Sequence, residues 1–122
     1  MKRIYEPPAP EDGERFLVDR LWPRGVSREA AALTGWLREL APSEELRRWF
    51  AHEPSRWPEF RERYRRELQA PKAQKLLQEV AERAKSGPVT LVFAAHDPER
   101  NNARVLQAVI EELLAVSREA GA

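Results

Sequence analysis

Cysteine is absent from the chain. That excludes disulfides, thiolate catalysis, zinc ribbons and iron–sulfur clusters, and it fits a reducing cytoplasm as the expected location. Long apolar runs are missing too. Nothing approaches the roughly 20 consecutive apolar residues that a membrane-spanning helix needs, so no membrane association is expected. The opening MKRIYEPPAPEDGE carries basic residues with no apolar region behind them, unlike a secretory signal. Charge of one sign is also lacking: 21 Lys plus Arg face 20 Asp plus Glu, for a net charge of +1. No whole-molecule field therefore draws the protein to nucleic acid or to an anionic membrane. GxGxxG, P-loop and GxSxG motifs are all missing, which removes the commonest nucleotide and hydrolase readings and leaves any cofactor without a signature. His52 and His96 lie far apart in sequence without paired acids at helical spacing, so no metal site is expected.

What is present describes one domain spanning residues 1–122, with 42% apolar residues and four Trp, four Phe and two Tyr to fill a core. Arginine outnumbers lysine by 17 to 4 along the whole chain. A GC-rich or thermophilic source explains that more simply than anion binding does. Lys2 to Tyr5 reads as a short strand, and the prolines of Glu6 to Gly13 mark a loop. Arg15 to Leu21 reads as a strand whose continuous Phe-Leu-Val centre suggests burial on both faces. Ser27 is the expected cap of a helix carrying Ala30, Leu33, Trp36, Leu37 and Leu40 on one stripe. Further helices are expected after Pro42-Ser43, through Trp57, Phe60, Tyr64 and Leu68, and from Pro71 to Gly87. Val89 to Ala95 is the strongest strand, and a last helix buries Val105, Leu106, Val109, Ile110, Leu113 and Leu114. The pattern predicts an α/β domain, a small and mainly parallel sheet flanked by about five helices.

Both strong strands run into polar clusters. Phe16-Leu17-Val18 leads to Asp19-Arg20, and Val89 to Ala95 leads to His96-Asp97 and then Asn101-Asn102. If the strands are parallel neighbours, the clusters meet at the sheet edge where open α/β sheets bind ligands. Arg20 and Arg24 offer forked donors to a phosphate-like anion, Gly25 permits a tight turn, and a helix starting at Ser27 would aim free N–H groups at the loop. Trp22 could stack on an aromatic ligand. Asn101 and Asn102 are poor helix formers and serve as ligand contacts or as the true cap. Asp97-Pro98-Glu99 otherwise reads as cap, first helical proline and dipole-matching acid. In an enzyme, Asp19 would be the acid or base, Arg20 would steady developing negative charge and His96 would assist. On the arginine-rich segment from Trp57 to Leu68, Glu59 with Arg63 and Glu62 with Arg66 stand at i,i+4 in the favourable order. A salt-bridged solvated face is the better reading there than a nucleic-acid surface.

LVDRLWPRGVS (Leu17 to Ser27), LAPSEELRRWF (Leu40 to Phe50), the Trp57-Phe60-Tyr64 segment and VTLVFAAHDPERNNA (Val89 to Ala103) together resemble the bacterial domain of unknown function 488 family, in its short single-domain branch. The resemblance covers nearly the whole chain and implies a compact α/β fold with no settled activity. The wider superfamily carries an Asp-Val-Arg-like strand end, matched here by Asp19-Arg20. It also carries a Cys-His-Arg-like cluster opening the last helix, where this chain reads Asn101-Asn102-Ala103. The resemblance therefore implies a branch that is inactive or does different chemistry from the same crevice. The expected function is binding of a small anionic ligand, a nucleotide or phosphate-like group. The alternatives are an enzyme, a hydrolase or nucleotide-modifying one, and a nucleic-acid-binding regulator.

Overall fold

The computed structural model describes residues 1–121, with side chains through Val116. Four strands form one sheet: β1 (Lys2–Arg3), β2 (Glu14–Leu17), β3 (Gly35–Trp36) and β4 (Val89–Phe93), in spatial order β1-β4-β2-β3. Every pairing is parallel, with Glu14 to Leu17 beside Val89 to Val92 and Lys2 beside Val92. Both faces are covered, as the continuous apolar runs predicted. Leu17, Val18 and Val92 are fully buried.

The two faces are covered unequally. Leu91 and Phe93 join one large cluster with side chains of α2 (Glu44–Phe50), α3 (Trp57–Glu67), α4 (Pro71–Ser86) and α5 (Asn102–Gly121). Val92, between them, points the other way, as strand alternation requires. There it meets Ile4 and Ala31 in a thin second cluster closed by Trp22, Val26 and Leu33. Periodicity predicted α3, α4 and the start of α2 correctly, the last with Ser43 Oγ accepting from Leu46 N. On α3 the expected ion pairs Glu59–Arg63 and Glu62–Arg66 form, and Arg65 pairs with Glu112 of α5.

The helix expected through Leu40 is different. Ser27 does cap a helix, by accepting from Ala30 N, but α1 (Arg28–Ala31) is a single turn and ends at Ala32 in left-handed backbone. The chain then runs along the open edge of β2: Thr34 N donates to Arg15 O and Leu37 N to Leu17 O. Unpaired edge groups on β2 outbid the helical periodicity of Leu33, Trp36, Leu37 and Leu40, because buried backbone must be hydrogen-bonded. Gly35 suits the register, since a Cβ there would press on the Phe16 ring at 3.3 Å. β2 also stops at Leu17 rather than Leu21, although Val18 N still donates to Val92 O. Leu21 stands out in solvent. Arg15, read above only as a strand residue, is 3% exposed; its guanidinium donates to Asp12 and twice to Ala31 O, so the buried charge is paired.

Candidate ligand-binding cavity

Because β2 and β4 are adjacent and parallel, their carboxyl ends open side by side, and the segments leaving them wall a cavity of about 600 Å³. Asp19 is its fixed point. Its Oδ2 accepts from Ala94 N at 2.9 Å, at the end of β4, and its Oδ1 accepts from Asn102 Nδ2 at 3.0 Å. The backbone is held as well, with Trp36 Nε1 donating to Asp19 O. Burial pushes the Asp19 carboxyl above its ordinary range, against those hydrogen bonds and the charges of Arg47 and His52 that pull it down.

Asn102 links the two strand ends, since the same amide nitrogen also donates to Val18 O at 2.8 Å. Asn101 is the true cap of α5: its Oδ1 accepts from Arg104 N while its Nδ2 donates to Asp97 O. Asp97 caps an earlier turn by accepting from Glu99 N and Arg100 N. Those two bonds hold its carboxyl below the usual range. The entry to the last helix thus has two stages, where the sequence suggested one. Ala103, the third position of the cluster in the resemblance, is fully buried.

Arg20, Trp22, Arg24 and His96 line the cavity, as do Asn101 and Asn102. Arg20 is anchored by Nε donating to Pro42 O at 3.1 Å, which leaves its terminal nitrogens without a hydrogen-bond partner among the described residues. His96 Nδ1 lies 3.3 Å from the Arg3 guanidinium. Trp22 is engaged as wall: its Nε1 donates to Val26 O, its ring meets Trp36 edge-on, and Arg28 sits over it. Gly25 and Ser27 lie outside the cavity lining. Gly25 makes the expected tight turn at φ +73°. Ser27 spends its hydroxyl on α1, whose single turn brings no N–H groups to the site.

Tertiary structure adds residues that local sequence did not point to. Arg47, from the last turn of α2, and His52 both line the cavity, as does Arg100. Ala51 and His52 are consecutive non-glycine residues in left-handed backbone, at φ +46° and +57°. That conformation costs about 1–2 kcal/mol per residue, and here it reverses the chain tightly enough to set His52 on the rim. Phe50 and Phe60, stacked at 4.4 Å, form part of the apolar floor. Four arginines and two histidines thus face two carboxylates, Asp19 and Asp97, of which Asp97 already pairs with Arg100. Neither Arg24 nor Arg47 has a hydrogen-bond or ion-pair partner for its guanidinium among the described residues. Such a wall can hold an anion through forked donors, with a desolvated carboxyl beside it.

A family model described as the inactive DUF488-N3 subclade matches residues 1–122. The uncharacterized protein Rv3073c of Mycobacterium tuberculosis is 39% identical over 112 residues, which cover 92% of this chain and 89% of its own. The uncharacterized protein YeaO of Escherichia coli is 42% identical over 105 residues, covering 86% of this chain and 90% of its own. No solved structure matches. Among the described residues no helix is long and apolar enough to cross a membrane.

Proposed function

This chain belongs to the DUF488 family, within the subclade described as inactive, and on that premise we propose that its crevice is kept for binding. The ligand is a small anion, a nucleotide or phosphate-like group, held at the carboxyl ends of β2 and β4. One observation carries this reading: four arginines converge on one cavity, and the guanidiniums of Arg24 and Arg47 have no hydrogen-bond or ion-pair partner among the described residues, although the Arg47 charge acts on Asp19. Converging like charges repel, and an anion that accepts from their forks relieves the repulsion. Arg20 is anchored through one nitrogen and presents the others, an arrangement suited to orienting an oxyanion.

Thermal shift of the full-length protein tests the reading, using inorganic phosphate, ribose 5-phosphate and nucleoside monophosphates against wild type, Arg20→Ala and Arg47→Ala. A ligand at a hundredfold excess over its Kd stabilises by about 2.7 kcal/mol. The stabilisation should be lost in both variants. Equal stabilisation of wild type and both variants would sink the proposal.

An enzyme is favoured by one feature, the desolvated Asp19 carboxyl in a cavity with Arg47 and His52. Against it stand the asparagines and alanine where the resemblance places Cys-His-Arg, and the description of the subclade. Turnover of any phosphorylated compound that vanishes in Asp19→Asn would reverse that preference. The α3 arginines offer less to nucleic acid, because three of the four, Arg63, Arg65 and Arg66, are each paired with a glutamate.

A further inference from the structure

We infer that the ligand carries a planar aromatic ring beside its anionic group, and that Tyr5 and Leu21 grip the ring at the mouth of the cavity. This assignment rests on the anion-binding reading above and narrows it to aromatic phosphates such as nucleotides. Among the described residues three large apolar side chains are conspicuously exposed: Tyr5 (50%), Leu21 (58%) and Val116 (62%). Exposed apolar residues scattered singly need no explanation. Two of these three line the same cavity.

They are also held there. Tyr5 Oη donates to Arg24 O at 3.3 Å, which ties the segment after β1 to the Asp19–Gly25 segment that carries Leu21. The Arg3 guanidinium sits over one face of the Tyr5 ring, 5.1 Å from its centroid, so one face is left for a partner. A ring on that face and against Leu21 would remove both apolar groups from water.

The rest of the wall agrees. Phe50, Phe60, Pro42 and Ala95 give the interior an apolar surface that a bare phosphate or a sugar phosphate would leave unmatched. The volume of about 600 Å³ far exceeds what a phosphate ion fills. The anionic group belongs with Arg20 and Arg47, and the apolar rim takes the ring. Tyr5 is thereby a specificity residue, acting on the part of the ligand that the arginines do not read.

Isothermal titration calorimetry separates the two parts. The four ribonucleoside 5′-monophosphates, ribose 5-phosphate and inorganic phosphate are each titrated into wild type, Tyr5→Ala, Leu21→Ser and Tyr5→Phe. At least one nucleotide should bind ten times or more tighter than ribose 5-phosphate. Tyr5→Ala should weaken that nucleotide by about 5- to 150-fold, the span of single-base stacking, and leave ribose 5-phosphate unchanged. Leu21→Ser, on a side chain already in solvent, should act in the same direction, and Tyr5→Phe should retain the preference. If ribose 5-phosphate binds as well as every nucleotide, or the variants weaken both alike, the ring assignment is overturned and the anion site stands. If none of the phosphates binds wild type, both readings fall.

Discussion

Tyr64→Phe is the substitution with the best-defined expected cost. The Tyr64 ring is fully buried in the large cluster, 5.6 Å from Phe60, and its hydroxyl donates a hydrogen bond to Leu40 O. Phenylalanine keeps the ring and its contacts. It removes the donor, and Leu40 O has no other partner among the described residues. A buried acceptor left unsatisfied costs about 1–3 kcal/mol. With an unfolding entropy of roughly 2.1 cal/mol/K per residue, a chain of this length loses about 4 °C of Tm per kcal/mol. The expected drop is therefore about 4–12 °C. A second signature lies in pH. Burial, with the nearby Asp19 and Glu67 charges, raises the Tyr64 phenol well above its ordinary value of 10.0, against a lowering by Arg20. The unfolded chain ionises there first, so the contribution of Tyr64 is complete below pH 10 and is lost as pH rises further. The slope approaches about 1.4 kcal/mol per pH unit. Urea denaturation of both proteins between pH 8 and 11 should show the stability gap closing above pH 10. Two parallel curves would refute the claim that this phenol is desolvated in the native state alone.

Two glycines with similar backbone should part company on substitution. At Gly13, φ +64°, an added Cβ would sit 2.2 Å from Pro88 O, so Gly13→Ala should displace the start of β2 and lower the urea midpoint sharply. Gly25→Ala, at φ +73° with open space around it, should cost only the left-handed penalty of about 1–2 kcal/mol; equal midpoints for the two variants would contradict this. Arg15→Ala should cost far more than Arg63→Ala, since one side chain is buried and the other half in solvent, and their denaturation midpoints give the comparison. Asp19 reverses the usual carboxylate trend. Its folded-state pKa is raised, so its stabilising contribution is full below 3.8 and lost as pH rises through the raised value. Relative to Asp19→Asn, wild type should therefore be less stable at pH 7 than at pH 3, and a constant offset would count against it.

Legibility in the sequence followed the range of the forces involved. Helices α3 and α4 rest on their own periodicity and terminal prolines, and both were readable. So was the meeting of Asp19 with Asn102, because two buried apolar runs ending in polar residues needed only to be parallel neighbours. Strand β3 was not readable. Leu33 to Leu40 carries a helical stripe, and what extends it is the unpaired edge of β2, supplied from elsewhere in the chain. Arg47 and His52 were missed for a similar reason. Their direction depends on how α2 docks over the strand ends and on two left-handed residues that local composition, Ala51-His52, does not advertise. Tyr5 looked like a strand terminus, and its tether to Arg24 O joins two segments with no local signal for each other.

The central position of β4 sets the order in which this protein can be made. Lys2 finds its partner at Val92, and Glu14 at Val89. A ribosome has therefore emitted most of the chain before β1 has any neighbour and before β2 has more than the two-residue β3 beside it. Until then Phe16 and Leu17 have only β3 on one side, and the open backbone of their other edge invites pairing between nascent chains. Closing so long a loop is entropically slow, and folding should be a late, concerted event rather than a stepwise accretion from the amino end. Chains cut short before β4 should aggregate, and a holdase that shields the first strands would raise the yield of the complete protein.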